Sequence, residues 1–247
     1  MDQENLYSKI QEALGNLKGT FSVLEEQIDI DVQLEYFESS KDTKKTIDLD
    51  DTLNNREDLF SDLLSVDQKK MLLVKLASID KVEAYRVLER YKQNPDPGLK
   101  DWASLAMHES RMLLESSLLD ENQVFISTGL GGKGQKLRYF IVFLVKENCQ
   151  IDELEKRVIS NEVNYVFGKH DAEVEEVKFS NNLATVKAII PINVELNEMF
   201  EQFVENCNVF GDFLQMNFIV TNVKELSFDE IEDVLQKSKV NGKKELN

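Results

Sequence analysis

Four glycines fall within six positions at Gly129-Leu130-Gly131-Gly132-Lys133-Gly134, with Lys136 and Arg138 just beyond. Backbone N–H groups in so glycine-rich a turn can form a concavity for an anion, and neighbouring cations favour phosphate or carboxylate. From Asn122 to Lys146 there are four bases and no acid, in a chain whose 46 acids outweigh 29 bases. Gly129, Gly131, Gly132, Lys133, Gly134, Lys136 and Arg138 therefore form the candidate anion- or small-ligand-binding set. The turn departs from the nucleotide signatures. A P-loop needs Lys then Ser or Thr opening a helix, whereas Gly134 is followed by Gln135 and an apolar run. The dinucleotide fingerprint also demands a helix directly after its glycines. The same residues read equally as a hairpin tip joining Gln123–Ser127 to Leu137–Val145, where glycine supplies positive φ and lysine keeps an edge soluble. Direct RNA contact is a third reading.

Other chemistry-bearing residues form weaker sets. His108-Glu109 opens like a zinc-protease helix, but Met112 stands where the second histidine belongs. His170 lies in the turn Gly168–Asp171. Cys149 and Cys207 are far apart and not in a CxxC spacing, so they read as reduced, mostly buried thiols and not as a convincing metal set. Asp48, Asp50 and Asp51 have calcium-like spacing without the loop glycine or the bidentate glutamate. They read as solvated charge, and Glu173, Glu175 and Glu176 as an exposed strand edge. No GxSxG elbow occurs, and no Ser, Thr or Cys has a recognisable partner base in sequence. The reading is of a protein without metal or cofactor, and more a binder than an enzyme.

The elements that would position these residues follow from hydrophobic spacing. Asn5–Leu17 carries a helical stripe. Gln27–Phe37 alternates, with Ile28, Ile30, Val32, Leu34 and Tyr36 apolar and acids or Gln33 between, which predicts a half-buried strand pairing back through Thr46–Leu49. Ser65 and Gln68 form a capping box before a buried helix at Lys69–Ile79, and Asp80 with Glu83 repeats the device before Lys81–Gln93. Asn94-Pro95-Asp96-Pro97 stops that helix, with Asp96 as N-cap and Pro97 as first residue of a helix running to about Leu119. These helices with their Asp-Pro junction resemble a HEAT-type repeat over about Ser65–Leu119. That span is about one and a half units, short of the roughly three that a solenoid needs, so a small helical bundle is expected.

From Asn122 the spacing turns twofold. Leu137–Val145 is an almost wholly apolar strand, followed by a helix at Asp152–Val166, strands at Val174–Phe179 and Leu183–Ile190, a helix at Asn197–Phe210, and a strand at Phe213–Val223. A terminal helix capped by Ser227 with Glu230 comes next, then a frayed tail from Val240. Strand-helix-strand-strand-helix-strand resembles the ferredoxin-like pattern. The expected class is α+β: a helical bundle with an acidic hairpin over 1–121, a ferredoxin-like α/β domain over 122–239, and a flexible tail over 240–247.

A hydrophobic content of 42% argues against wholesale disorder, and the net charge of −17 disfavours nucleic-acid backbones and anionic membranes. No apolar run reaches the roughly 20 residues of a membrane span, and the first residues do not read as a secretory signal, so a cytoplasmic protein is expected. Residues 1–60 hold 15 acids against 6 bases, about half the excess of the whole chain. The leading expectation is a protein-interaction or regulatory module binding a basic protein partner, or associating with itself through a sheet edge at Gln27–Phe37. A phosphate- or small-ligand-binding module at Gly129–Arg138 is the alternative, and an RNA-associated protein the third.

Overall fold

The computed structural model describes residues 21–120, 124–146, 149–180 and 182–242. The helix expected at Asn5–Leu17 lies outside them. The chain divides into two compact units, one up to Leu137 and one from Arg138. The fold is mixed α+β, and among the described residues no helix is long and apolar enough to cross a membrane.

The first unit begins with a short strand, β1 (Phe21–Val23), and continues through α1 (Ile30–Thr43), α2 (Leu49–Asn54), a 3-10 turn (Arg56–Phe60), α3 (Val66–Ala77), α4 (Val82–Gln93) and α5 (Lys100–Leu119). It ends with β2 (Val124–Ile126) and β3 (Gly132–Lys133). Strand β1 runs parallel to β2, with Phe21 opposite Val124, Ser22 opposite Phe125 and Val23 opposite Ile126. Helix α5 is the central element and packs against α1, α3 and α4. Tyr36, Leu73, Leu76, Leu88, Tyr91, Trp102 and Leu105 form the core between them.

The strand expected over Gln27–Phe37 is instead helix α1. The Asp29 carboxylate caps it by accepting the Asp31 N–H at 2.8 Å. Its buried face is Gln33, Tyr36, Ser40 and Thr43, a helical spacing, while apolar Leu34 is 55% exposed. Burial here follows hydrogen bonding as much as hydrophobicity: the Gln33 amide donates to the Ile28 carbonyl at 2.8 Å and to the Thr128 carbonyl at 3.1 Å. The expected hairpin and its self-pairing edge are therefore absent. Asp48 caps α2 by accepting the Asp51 N–H at 3.0 Å, so that acidic run is helix-starting chemistry.

The Ser65–Gln68 capping box forms as expected before α3. Only one face of α3 is buried, however, and Met71 is exposed. Lys81, not Asp80, is the N-cap of α4 and makes no side-chain cap. Pro97 and Gly98 form a turn, and α5 starts at Lys100. Asp96, expected as its cap, instead accepts from Lys69 Nζ at 2.6 Å and the Tyr91 hydroxyl at 2.5 Å. A buried ammonium took the carboxylate that the Asp-Pro pattern assigned to the helix.

The second unit carries β4 (Lys136–Val145) from Arg138 onward, then α6 (Glu153–Lys169), β5 (Glu173–Phe179), β6 (Leu183–Pro191), α7 (Leu196–Asn208), β7 (Leu214–Thr221) and α8 (Phe228–Gly242). Strands neighbour one another in the order β7-β4-β6-β5, with β4 antiparallel to β7 and β5 antiparallel to β6. This is the ferredoxin-like arrangement. Central β4 and β6 are the apolar strands, as expected, and Phe143 packs against Phe203 with ring centroids 4.4 Å apart. The capping boxes at Asp152–Glu155 and Ser227–Glu230 both form. Val240 to Gly242, expected as tail, continue α8.

Candidate functional site

Strand pairing at the two ends of the first unit sets up a concavity in it. Because Ser22 stands opposite Phe125, the Phe125 ring reaches His108 of α5, with centroids 4.7 Å apart. Ser22 Oγ in turn lies 3.0 Å from His108 Nε2. Around this contact is a cavity of about 320 Å³, walled by Phe21, Val23 and Met107 and lined by Glu25, Glu26, Lys92, Arg111, Gly134 and Gln135.

Its charges are unequal in availability. Lys92 is ion-paired with Glu26, and although burial opposes ionisation of Glu26, the lysine outweighs it and holds the carboxyl below its usual range. Glu25 is exposed and accepts the Gly134 N–H at 3.2 Å. Arg111 is exposed and, among the described residues, has no ion pair. Burial, assisted by the charge of Arg111, pushes His108 down to about 4 against the opposing pull of Glu26 and Glu25, so its ring is neutral at neutral pH.

The glycine turn is tied into the same region. Gly131 has φ +69°, and a Cβ there would lie 2.5 Å from the Glu25 carbonyl oxygen and 2.6 Å from that of Glu26. A Cβ on Gly132 would lie 2.2 Å from the Lys136 carbonyl oxygen. These glycines let two backbones touch. The hairpin tip at Gly134 and Gln135 joins β3 to the first residues of β4, and not Gln123–Ser127 to β4, because β2 pairs with β1. Of the candidate anion-binding set, Gly134 alone lines the cavity. Gly129 is buried, Lys133 is exposed and Lys136 half-buried. In the second unit, Arg138 makes two bonds to the Glu175 carboxylate at 2.7 and 2.9 Å.

Ser22, Lys92 and Arg111 carry no signal in the sequence, and the His108-Glu109 pair points there only to an incomplete zinc motif. Ser22 and His108 are 86 residues apart, and only the strand pairing joins them. Their contact resembles the start of a nucleophilic dyad but lacks the rest. A general base should titrate near the working pH and be oriented by a third group. His108 at about 4 is too weak a base, and no carboxylate is hydrogen-bonded to it among the described residues. The arrangement suits binding better than acyl transfer. Among the described residues no group of three or more His, Cys, Asp or Glu side chains could hold a metal ion.

A second concavity of about 230 Å³ lies between α2 and α3, with Asp51 and Asp58 beside an apolar floor of Leu64, Met71 and Leu72, and Lys75 also lining it. Glu109, next to the histidine, faces away into structure: Tyr36, Ser40 and Lys44 all donate to its carboxylate.

No family model matches the sequence, and no curated protein matches it. Among solved structures, that of a REP-associated tyrosine transposase bound to a REP hairpin is similar over 36% of this chain and 57% of that one, at 7% identity and a TM-score of 0.32. The chain thus spans less than two thirds of the length of that protein, and a likeness so slight bears on neither fold nor function.

Proposed function

We propose that the first unit is a non-enzymatic protein-binding module whose acidic face takes a basic segment of a partner. The observation that supports this reading is the cleft between α2 and α3, where the Asp51 and Asp58 carboxylates stand beside exposed Met71 and half-buried Leu64 and Leu72. A lysine or arginine side chain of a partner matches both parts: its methylenes cover the apolar floor and its charge meets the acids. The exposed acids Asp31, Glu38, Asp42 and Asp50 of the same unit add to the field that would steer such a segment.

Fluorescence anisotropy with labelled peptides tests it. A peptide alternating Arg or Lys with Leu should bind, and affinity should fall as salt rises. A matched Glu-for-Lys peptide should not bind. Replacing both Asp51 and Asp58 by Asn should weaken binding by about tenfold, or about 1.4 kcal/mol. Equal affinity for the acidic and basic peptides, or no effect of the double substitution, would refute the reading.

A further inference from the structure

The cavity beside Ser22 and His108 makes a different demand on its occupant from that of the acidic cleft. Its volume of about 320 Å³ is at the small end of ligand sites, which run from roughly 300 to 1,000 Å³. Lys92 and Glu26 cancel one another, and His108 is neutral. What remains is one cation and one anion. Arg111 has no ion pair among the described residues, and Glu25 has only the Gly134 N–H as a hydrogen-bond donor there. Both charges bear on His108, so both stand around the same space.

This balance discriminates among ligands. A phosphate dianion would gain Arg111 but face the carboxylate of Glu25, in a chain of net charge −17. A simple amine would gain Glu25 but face Arg111. A small molecule carrying one carboxylate and one ammonium meets neither penalty. The guanidinium of Arg111 can receive a carboxylate bidentately. Phe21, Val23 and Met107 offer an apolar wall for the remainder of the molecule, while Ser22 and the neutral imidazole give it a polar floor without net charge.

We propose that this cavity binds a free α-amino acid, or a zwitterion of the same size, with its carboxylate on Arg111, its ammonium on Glu25 and its side chain against Phe21 and Met107.

Isothermal titration calorimetry on the full chain, with each of the common amino acids as titrant, decides it. At least one should bind saturably, and its N-acetyl derivative and its decarboxylated amine should each bind at least about tenfold more weakly. Arg111→Met and Glu25→Gln should produce losses of the same size. Both side chains are exposed, so neither substitution should disturb the fold, which the far-UV circular dichroism of each variant checks. No saturable heat from any amino acid at about 10 mM would overturn the proposal. Binding unchanged in both variants would do so too, and so would inorganic phosphate binding more tightly than every amino acid.

Discussion

Tyr36 on α1 donates its hydroxyl to the Glu109 carboxylate of α5 at 2.6 Å, and both residues are buried. Ser40 donates to the same carboxylate at 3.1 Å and Lys44 Nζ lies 2.6 Å from it, so one acid gathers a whole face of α1. Burial, reinforced by the adjacent Glu109 charge, pushes the Tyr36 hydroxyl well above its ordinary range. Replacing Tyr36 by Phe removes a donor from a buried carboxylate and should cost about 1–3 kcal/mol of unfolding free energy. Urea denaturation followed by circular dichroism measures this, and an unchanged midpoint would contradict it.

Asp96 and Tyr91 contribute to the pH dependence of the first unit at opposite extremes. The bonds from Lys69 and then Tyr91 hold the Asp96 carboxyl below its usual range, and burial followed by the bond to Asp96 raises the Tyr91 hydroxyl. A lowered acid contributes stability that is present above its unfolded value, about 4, and is lost as pH falls through the folded value. A raised phenol contributes stability that is present below its unfolded value, about 10, and is lost as pH climbs toward the folded value. Thermal melts should therefore fall off at both extremes. Asp96→Asn should flatten the acid side specifically, and an acid limb identical in the variant would count against this assignment.

The two cysteines should differ sharply in reactivity. Burial, with the neighbouring Glu162 charge, pushes the Cys207 thiol up to about 12, whereas Cys149 is exposed. Thiolate is the reactive form. Iodoacetamide followed by peptide mapping should therefore modify Cys149 in the native protein and Cys207 only after denaturation. Equal labelling of both in native buffer would show the assignment to be mistaken.

Gly131 and Gly134 both have positive φ, at +69° and +60°, yet they should tolerate alanine differently. A Cβ at Gly134 meets nothing within 4 Å, so Gly134→Ala carries only the left-handed backbone strain of about 1–2 kcal/mol. At Gly131 the same strain is joined by a clash with two backbone carbonyls. Gly131→Ala should be the more destabilising by a clear margin in the same urea assay. A larger loss at Gly134 would reverse the account of the turn.

The second unit was legible because its signals were redundant. Leu137–Val145 is apolar at every position but Arg138, and Ser227 with Glu230 announces α8 before its stripe begins. The first unit was harder because α1 buries Gln33, Ser40 and Thr43 while leaving Leu34 in solvent. Hydropathy then traces an alternation that belongs to no sheet. Polar residues can be buried where partners are supplied from far away, as Thr128 supplies Gln33 and Glu109 supplies Ser40. Those partners are invisible to any local window. The cavity was hidden for the same reason, since Ser22 acquires meaning only when β1 finds β2. The glycine turn drew attention to the right neighbourhood, but the cations after it lead elsewhere, Arg138 to Glu175.

Because Phe21–Val23 and Val124–Ile126 lie side by side in parallel, the intervening helices form a closed loop of about 100 residues fastened at its neck. While the chain is being made, β1 has no strand to join until β2 has been synthesised, so the neck fastens after the helices it encloses. A fragment that stops at α5 keeps the whole helical layer yet lacks the Phe125 ring that His108 leans on and the strand that holds Ser22 in place.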